Sequence, residues 1–455
     1  MNQNRRSFLR RASVLGASLV ATKSVTAQHP EHQQQQKTEQ KHDHSKQAPS
    51  KTAQTKPGDQ TLSQSANGSG YVPVITPDLP KLPYKLEDGV KVFHLIAEPV
   101  RTEFLPAASW ADARKVDAWG YNGSVPGPTI EVTEGDRVKI LFTNNLPEPT
   151  TPHWHGLEVP MAQDGVPGIG QQLIMPGETY TYEFAINQNG TFFYHSHMAM
   201  QEMMGMIGLF IAHPKTLHEP RVEKDFALIL QGWAILPNNT VPNTLAMEFN
   251  WLTMNGKAGP ATTPMIVRLG ERVRIRLVNL GMDHHPIHLH GNQFYVTGTE
   301  GGRIPESAWF PGNTVIVGVA QARDVEFEAK YEGDWMVHCH LPHHMMNQMV
   351  SMVGPVHRGR GIQTERGMDA QGNAKRVPGY PQDMWMTMDA EVAKPETSWL
   401  PDGWTGSMMG MMTLVRVMPP EKYDRIMALI EQGKYEPGPK WPEKPNQHQH
   451  HRGDE

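Results

Sequence analysis

From residue 71 onward, short runs of alternating apolar and polar residues are separated mostly by Gly, Pro or Asn. A period of two is typical of strands that bury one face, and turn residues at such short intervals favour a β-sandwich over helices. The chain is therefore predicted to be all-β from residue 71 to about residue 358.

Two stretches carry this pattern in nearly the same form: PTIEVTEGDRVKILFTNN from Pro128 and PMIVRLGERVRIRLVNL from Pro264. Side chains at every second position of a strand point to one face of the sheet. The apolar residues predicted to face a core are Val138, Ile140 and Phe142 in the first stretch and Val273, Ile275 and Leu277 in the second.

The two stretches belong to a longer internal repeat. Gly135 and Gly270 are 135 positions apart (270 − 135), and the same offset places HWHG at 153 on HLHG at 288. Further along, FFYHSHMAMQEMMGM and WMVHCHLPHHMMNQM align at an offset of 143 (338 − 195). Self-similarity of this kind indicates a duplicated domain, and we place the two β domains at residues 71–217 and 218–358.

The rest of the chain has a different composition. Residues 1–27 combine a basic start containing Arg5 and Arg6, a modest apolar run and small residues before Gln28, which predicts a twin-arginine-type export signal and a periplasmic protein. The apolar run is too short to span a bilayer. Residues 28–70 are rich in His and Gln and are predicted to be a disordered linker.

Residues 359–455 form a Met-, Trp- and Pro-rich C-terminal extension. We expect it to be mostly irregular, with one helix from Pro419 to Gly433 because Pro favours a helix start and Gly a helix stop. The pattern assigns no fold to the remainder of this extension.

Composition adds the first chemical information. A formal net charge of −5 over 455 residues gives no reason to expect a nucleic-acid partner, and no later segment is apolar enough for stable membrane insertion. The 27 Met and 23 His side chains suit copper or zinc better than a hard cation. Cys339 is the single cysteine, so an exported chain has no internal disulfide and this thiol is either a buried core group or a metal ligand.

Histidines recur as His-X-His pairs. Residues i and i+2 of a strand share a face, so each pair presents two imidazoles on one side of its strand. One such pair is weak evidence, but the duplicated domains hold four pairs, and eight imidazoles exceed any mononuclear site. The pairs, which we predict to share a multinuclear metal cluster, are His153 and His155, His195 and His197, His288 and His290, and His338 and His340.

Cys339 indicates a second kind of centre. A thiolate with two imidazoles and a distant methionine is the ligand set of blue copper electron-transfer sites. The residues that supply this set are His285, Cys339, His344 and Met349. Because Cys339 lies between His338 and His340, the chain offers a short covalent path from the thiolate to the histidine cluster. The alternative is an inert core cysteine.

The repeat restricts this second centre to one domain. The offsets place the counterparts of its four ligands at Thr150 (285 − 135) and at Ser196, Gln201 and Met206 (339, 344 and 349 − 143). Since three of these four residues are not copper ligands of this type, only the second domain is predicted to hold blue copper.

HWHG, HSH, HPIHLHG and HCHLPHHMMNQM resemble the copper motifs of multicopper oxidases, the laccase-like family of cupredoxin domains, over roughly residues 71–358. The resemblance implies two cupredoxin-like Greek-key β-sandwich domains, a type 1 copper that oxidises a substrate, and a trinuclear type 2 and type 3 cluster that reduces O2 to water. It implies about four coppers per chain: one type 1, one type 2 and two type 3.

Carried over by position, the resemblance gives each candidate ligand a role. His285, Cys339, His344 and Met349 would bind the type 1 copper. His153 and His288 would bind the type 2 copper. The type 3 pair would be held by His155, His195, His197, His290, His338 and His340.

Asp164 matches an acidic residue that helps deliver protons in this family, although an Asp before Gly165 is also a common turn residue. Some relatives carry a second acid directly after the type 1 histidine, where this chain has Met345.

The spacing of the motifs departs from that of three-domain laccases. His197 and His285 are 88 residues apart (285 − 197), which resembles two-domain relatives. In those relatives the trinuclear cluster lies between domain one of one subunit and domain two of its neighbour, so we expect a homotrimer.

The substrate is left open. The Met-rich runs HMAMQEMMGM, HHMMNQMVSM and SMMGMMTLVRVM offer thioethers, which prefer Cu(I), although single methionines usually fill core gaps. Cuprous ion, with a role in copper tolerance, and phenols are both candidate substrates. The rival interpretations are a copper nitrite reductase, which the intact set of eight cluster histidines and Ser196 disfavour, and a copper-binding protein without turnover.

Overall fold

The computed structural model describes residues 70–108, 113–236, 239–345 and 387–440. The predicted export signal, nearly all of the predicted linker, Met349, and residues 359–386 and 441–455 of the predicted C-terminal extension lie outside the described residues. The described chain is dominated by strands, which confirms the all-β prediction and the two sandwich domains.

Strands β1 to β9 form the first sandwich. In several of them, apolar residues at every second position face the core. In chain order they are β1 (Tyr84–Glu87), β2 (Val90–Leu105), β3 (Arg114–Tyr121), β4 (Gly127–Thr133), β5 (Arg137–Asn144), β6 (Pro152–His155), β7 (Thr179–Ala185), β8 (Gly190–Ser196) and β9 (Ile207–His213), with the short helix α1 (Ala199–Glu202) before β9. One sheet has the order β1-β2-β5-β7 with β3 beside β2, and the other has the order β4-β9-β8-β6.

The second sandwich is built from later strands. In chain order they are β10 (Lys224–Trp233), β11 (Trp251–Met254), β12 (Met265–Arg268), β13 (Arg272–Asn279), β14 (His285–Leu289), β15 (Phe294–Thr299), β16 (Gly302–Arg303), β17 (Phe310–Gly312), β18 (Thr314–Val317), β19 (Gln321–Glu328), β20 (Gly333–Cys339) and β21 (Met412–Met418). One sheet has the order β11-β10-β13-β19-β15-β16 with β17 beside β15, and the other has the order β12-β21-β20-β14-β18.

The repeat predicted from the sequence is visible in the strand order. In each sandwich a middle strand, β9 or β21, pairs in parallel with one neighbour, β4 or β12. The same middle strand pairs antiparallel with its other neighbour, β8 or β20, which carries the first histidine of a His-X-His pair. The residues predicted to face the core are buried between the sheets, namely Val138, Ile140 and Phe142 in the first sandwich and Val273, Ile275 and Leu277 in the second.

The C-terminal segment completes the second sandwich. Strand β21 lies between β12 and β20 and pairs with β20 from Gly333↔Val417 to His338↔Met412. All seven of its residues are buried. Part of the extension is therefore a central strand of the sheet that carries Cys339.

Helix α2 (Pro420–Gln432) follows β21 and confirms the helix predicted from Pro419 to Gly433. Pro420 occupies its first turn, where a missing amide hydrogen costs nothing, and Gly433 ends it with a left-handed φ of 63°. Ile426 packs with Ile266 of β12 and Met418 of β21, so the helix covers the edge of the same sheet.

The two sandwiches pack through one apolar layer and one polar layer. Apolar residues of β8 and β9, including Phe193 and Leu209, meet Ile229 of β10 and Val278 of β13. Beside this layer, the buried pair Arg276 and Asp225 is joined to the first sandwich because Arg276 Nη1 donates to Thr191 Oγ1 at 2.7 Å. Burying these charges requires this complete set of partners, which fixes how the sandwiches meet.

Within the described ranges, no helix is long and apolar enough to cross a membrane.

Candidate metal centres

The single thiol of the chain lies between two imidazoles. Cys339 Sγ is 3.4 Å from His344 Nδ1 and 3.7 Å from His285 Nδ1, and the two Nδ1 atoms are 3.1 Å apart. All three residues are buried. Two neighbouring segments of the chain, one with His285 and one with Cys339 and His344, thus direct three ligand atoms at one point.

Strand pairing sets the positions of these three ligands. His285 begins β14 and Cys339 ends the antiparallel strand β20, with Ile287 opposite Cys339. His344 lies on a 3₁₀ turn, Pro342–Met345, directly after β20. The turn brings the second imidazole back over the end of the strand, where the thiol is.

Burial sets the protonation of the metal-free site. Desolvation, with the neighbouring His344 adding to it, lowers the pKa of His285 to about 3. Desolvation also lowers the pKa of His344, which Asp283 partly offsets. The pKa of the Cys339 thiol is raised to about 12 by burial. Both imidazoles are therefore neutral and ready to coordinate, whereas the thiol must lose a proton to a metal.

The first sandwich presents a set of four imidazoles, His153, His155, His195 and His197, which we call the first histidine set. The His153 ring centroid is 5.6, 5.4 and 5.6 Å from those of His155, His195 and His197. Strands β6 and β8 place His153 directly opposite His195. His155 Nδ1 and His195 Nε2 are 3.4 Å apart, so two lone pairs point toward one region.

The second sandwich presents the second histidine set, His288, His290, His338 and His340. The His288 ring centroid is 4.7, 5.6 and 5.6 Å from those of His290, His338 and His340. Strands β14 and β20 place His288 opposite His338, as β6 and β8 do for their histidines. His290 Nε2 and His338 Nε2 are 3.0 Å apart.

Backbone carbonyls fix the ring orientations in both sets. His195 Nδ1 lies 2.9 Å from the carbonyl oxygen of Ser196, and His338 Nδ1 lies 2.9 Å from that of Cys339. His288 Nδ1 lies 2.7 Å from the carbonyl oxygen of Asn313. Because these Nδ1 atoms donate to carbonyls, Nε2 keeps its lone pair for a metal.

The two sets have the same pattern of exposure. In each, the first two members are half-buried, the third is buried and the fourth is exposed, so His197 and His340 reach the surface. Across the part of the chain that the structure describes, no hydrogen bond or ring contact joins one set to the other. Each set is one half-site that opens to solvent.

Asp164 lies beside the first histidine set and also in a turn, as both interpretations of the sequence expected. Its carbonyl oxygen is 2.8 Å from His153 Nδ1, and its carboxylate Oδ1 is 3.4 Å from the same atom. Gly165 follows with φ of 86°, and a Cβ there would lie 1.7 Å from the carbonyl oxygen of Pro152. The Asp-Gly turn holds the carboxylate next to an imidazole.

Three residues at these sites escaped sequence reasoning. Glu202 Oε2 is 3.3 Å from His195 Nδ1, and Asp283 Oδ2 is 3.5 Å from His344 Nε2. The backbone of Met411 is hydrogen-bonded to Cys339 and to His344, the two ends of the loop of residues 339–344, which we call the thiol loop. The offset of 143 gave one available signal, since it places Glu202 at the position of Met345, where some relatives of the resembled family carry an acid.

The donor chemistry of the thiol site fits copper. One sulfur and two imidazole nitrogens with no carboxylate in the triad are soft and borderline ligands, which favour copper over magnesium or calcium. His285 Nε2 is buried without a hydrogen-bond partner in the described structure, so the ring is held by packing and by its Nδ1 contacts. The histidine sets, with nitrogen donors alone, fit copper equally well.

Comparison with protein families also indicates copper as the metal. Residues 107–217 and residues 235–355 each match a family model described as multicopper oxidase. The chain belongs to the multicopper oxidase family.

Solved multicopper oxidase structures share the fold. A structure titled multicopper oxidase mgLAC is 32% identical with a TM-score of 0.52, and the match covers 57% of this chain and 82% of that one. A blue copper oxidase from Nitrosomonas europaea is 32% identical with a TM-score of 0.50, covering 56% of this chain and 80% of that one.

A longer relative matches only in part. Copper resistance protein A of Pseudomonas syringae pv. tomato is 38% identical over 120 residues, which is 26% of this chain. The match spans 20% of the length of that protein.

Proposed function

We propose that this multicopper oxidase couples one-electron oxidation of a reducing substrate to four-electron reduction of O2 to water. One observation carries the proposal: Cys339 Sγ lies 3.4 and 3.7 Å from two imidazole Nδ1 atoms, while the chain bonds Cys339 directly to His338 and His340 of the second histidine set. A thiol ligand is thus connected to a cluster half-site by a few covalent bonds.

Each group of residues has a distinct role in this proposal. Copper, when bound, supplies the one-electron redox chemistry and the reduction of O2. His285, Cys339 and His344 hold the type 1 ion, while Met349, predicted from the sequence as its fourth ligand, lies outside the described residues. His153 and His288 hold the type 2 ion. The type 3 pair is held by His155, His195, His197, His290, His338 and His340.

The cluster forms between subunits in our proposal. Each half-site offers four imidazoles and ends in an exposed histidine, His197 or His340. A trinuclear site needs both halves, and the two halves do not meet within the described chain. A closed ring of three copies would bring the first histidine set of one protomer to the second set of its neighbour.

Asp164 is placed to relay protons to the first histidine set. Its carboxylate Oδ1 is 3.4 Å from His153 Nδ1 and its side chain is about one-third exposed, at 34%. A carboxylate that touches both solvent and a ligand ring can pass protons inward when O2 is reduced.

Cuprous ion is the substrate that the surroundings of the thiol site favour. Met336 and Met345 are half-buried beside the thiol loop and pack with the buried Met408 and Met412. Thioethers prefer Cu(I) to harder cations. We therefore propose oxidation of Cu(I), with phenols as further substrates, in a periplasmic protein that is exported by the twin-arginine route and contributes to copper tolerance.

Copper content and absorption test the proposal directly. The copper-loaded protein should bind about four coppers per chain and show an intense visible thiolate-to-copper band. It should consume O2 with Cu(I) and with dimethoxyphenol, and sedimentation should show a trimer. Copper binding without O2 consumption would indicate a copper-binding protein without turnover. Turnover with nitrite but not with O2 would indicate a nitrite reductase.

Cys339→Ser is the decisive variant, because an alcohol cannot replace the thiolate. It should abolish the visible band and the oxidase turnover together. Ser196→Ala changes the counterpart of Cys339 in the first sandwich and serves as the matched control, since it should keep both. Turnover retained in Cys339→Ser would refute the proposed role of the thiol.

A further inference from the structure

Trp154 lies between two members of the first histidine set, His153 and His155, but its ring points the other way. Burial along β6 alternates, with both histidines half-buried and Trp154 fully buried at 0% exposure. Successive side chains of a strand point to opposite faces, so the indole lies in the core of the first sandwich. Since the backbone joins Trp154 directly to both histidines, a short covalent path connects the indole to the first histidine set.

A line of aromatic rings runs from this indole toward the surface. The ring centroid of Trp154 is 5.2 Å from that of Tyr182, and the Tyr182 centroid is 4.7 Å from that of Tyr180. Both tyrosines lie on β7, two residues apart and therefore on one face, with Tyr182 buried and Tyr180 half-buried. We call these three residues the aromatic relay. Rings in contact at such distances allow an electron to move from one to the next in short steps.

The hydrogen bonds of the aromatic relay favour its outer end. Trp154 Nε1 is buried and has no hydrogen-bond partner among the described residues. The Tyr182 hydroxyl donates to Gln171 Oε1 at 2.8 Å, and the exposed Tyr180 hydroxyl donates to the Ala162 carbonyl at 3.3 Å. A ring that has lost an electron is stable as a neutral radical only where it also loses its proton. The indole has no acceptor and an amide oxygen is a weak base, whereas Tyr180 can release its proton to water.

The other half of the duplication has no such indole. The offset of 135 places Leu289 at the position of Trp154, between His288 and His290. Leu289 is buried like Trp154 but is aliphatic, so it cannot pass an electron. The first histidine set alone is therefore joined to an oxidisable side chain in this way.

A second branch of rings leaves Trp154 but stays in the core. The Tyr194 centroid is 6.2 Å from that of Trp154 and 5.1 Å from that of Tyr121. Both of these tyrosines are fully buried, at 0% exposure. Neither hydroxyl reaches solvent, so this branch offers no place to release a proton.

We propose that the aromatic relay supplies an electron for O2 reduction when the type 1 ion has none to give. Tyr180 loses one electron and gives its hydroxyl proton to water. The electron passes through Tyr182 and Trp154 to the first histidine set, where O2 reduction consumes it. A neutral phenoxyl radical remains on Tyr180, and a one-electron reductant in solution, such as ascorbate, returns the electron while water returns the proton.

The relay completes single reactions and does not replace the type 1 ion. Only partly reduced O2 is a strong enough oxidant to take an electron from a tyrosine, so the relay draws on Tyr180 at the last electron alone. Cys339→Ser therefore stays inactive in steady turnover. The inference rests on the proposed function, because O2 reduction at the histidine sets is what draws the electron.

Electron paramagnetic resonance detects the radical directly. In copper-loaded Cys339→Ser, a cluster without the type 1 ion stores one electron fewer than O2 needs. Reducing this variant with dithionite, removing the excess, mixing with O2 and freezing should give a narrow free-radical signal, and ring-deuterated tyrosine should narrow it further. If Cys339→Ser does not retain cluster copper, wild-type enzyme given one reducing equivalent fewer than O2 requires provides the same measurement.

Variants of the aromatic relay in the Cys339→Ser background locate the radical. Tyr180→Phe removes only the hydroxyl of a half-buried ring and should remove most of the signal. Tyr182→Phe and Trp154→Phe should do the same, because phenylalanine does not pass an electron. Circular dichroism checks the fold of each variant, and Tyr180→Phe decides the test if Trp154→Phe does not fold.

Two tyrosines outside the aromatic relay serve as controls. Tyr84 is half-buried against the same core as Tyr180, but its ring contacts Phe93. Tyr84→Phe is therefore the matched control, and Tyr194→Phe tests the buried branch. Both should keep the signal.

Loss of the signal in the relay variants, with retention in the two controls, supports the inference. A reduced Cys339→Ser protein that reacts with O2 without forming a radical would overturn it. A signal that Tyr180→Phe leaves unchanged, or that Tyr84→Phe or Tyr194→Phe lowers equally, would also overturn it. A copper-loaded wild-type protein that consumes no O2 would instead contradict the proposed function, so the two failures are distinguishable.

Discussion

The same position in the two sandwiches holds two different pockets. In the second, Cys339, His285 and His344 direct a sulfur and two nitrogens at one another within 3.7 Å. In the first, Thr150 and Ser196 hydroxyls are 3.0 Å apart and Ser196 donates to Gln201 Oε1 at 2.9 Å.

The two pockets differ in whether their polar atoms are satisfied. Gln201 Nε2 donates to the Pro149 carbonyl at 2.9 Å, so the first pocket ends in a closed chain of hydrogen bonds. A buried polar group is stable only when it is paired. The first pocket pairs its groups internally, whereas the second gathers lone pairs that a metal would complete. Duplication has thus produced one pocket for a metal and one that needs none.

The largest effect is expected from introducing the three copper ligands of the second pocket at the equivalent positions of the first sandwich. Thr150→His, Ser196→Cys and Gln201→His together should create a second blue centre, because the surrounding strands repeat those of the second sandwich. The visible band per chain should increase about twofold, with one more copper bound.

Absorption and copper analysis measure the result of the graft. Ser196→Cys alone is the control and should add no band, since a thiol without imidazoles lacks the ligand set. An unchanged band in the triple variant, with the fold intact, would show that side-chain identity alone does not separate the pockets.

The second prediction concerns the proton that Cys339 releases when copper binds in the second pocket, a step that the first pocket does not have. Burial raises the pKa of Cys339 to about 12, so below that pH the thiol is protonated and metal binding must expel its proton. The imidazole of His285, with its pKa lowered to about 3, is already neutral and releases none. Affinity for the type 1 copper should therefore rise about tenfold per pH unit between pH 6 and pH 8.

Copper titrations with a competing chelator at several pH values, followed at the visible band, test this dependence. A pH indicator in weak buffer should report about one proton released per type 1 ion. Affinity independent of pH would mean that the thiol is already ionised in the metal-free protein.

Breaking the hydrogen-bond chain of the first pocket should have the smallest effect. Gln201→Ala removes the Oε1 acceptor of the Ser196 hydroxyl and the Nε2 donor to the Pro149 carbonyl, which should lower the free energy of unfolding by about 1–3 kcal/mol. The visible band per folded chain should not change, since no copper ligand is altered.

Denaturant unfolding of the metal-free protein measures this loss. Gln172→Ala, at an exposed glutamine, is the control and should change stability by less than about 0.5 kcal/mol. Equal stability of the two variants would show that the first pocket does not depend on its internal hydrogen bonds.

Sequence patterns were sufficient for the repeated parts of the molecule. Alternation at Val138 and Val273 predicted the two cores because burial on one face imposes a period of two. His-X-His pairs predicted imidazoles on a common face for the same reason. The triad His285, Cys339 and His344 was predicted from the chemistry of its side chains, and the structure brings these residues together.

The place of strand β21 could not be predicted in the same way. Its apolar residues indicate a buried segment, but periodicity does not tell which sheet a segment joins. Met411, whose backbone is hydrogen-bonded to Cys339, lies 72 residues after it (411 − 339), so no local spacing links the two. Contacts such as Glu202 with His195 were missed because they depend on how a short helix turns after its strand.

The position of β21 constrains when the thiol site can form during synthesis. Its pairing with β20 runs to Val417, so the ribosome has to release nearly all of the described chain before the sheet around Cys339 is complete. Until then the amide of Cys339 has no Met411 carbonyl to bind. A nascent chain that has just exposed its only cysteine therefore still lacks the strand that completes the sheet around this thiol.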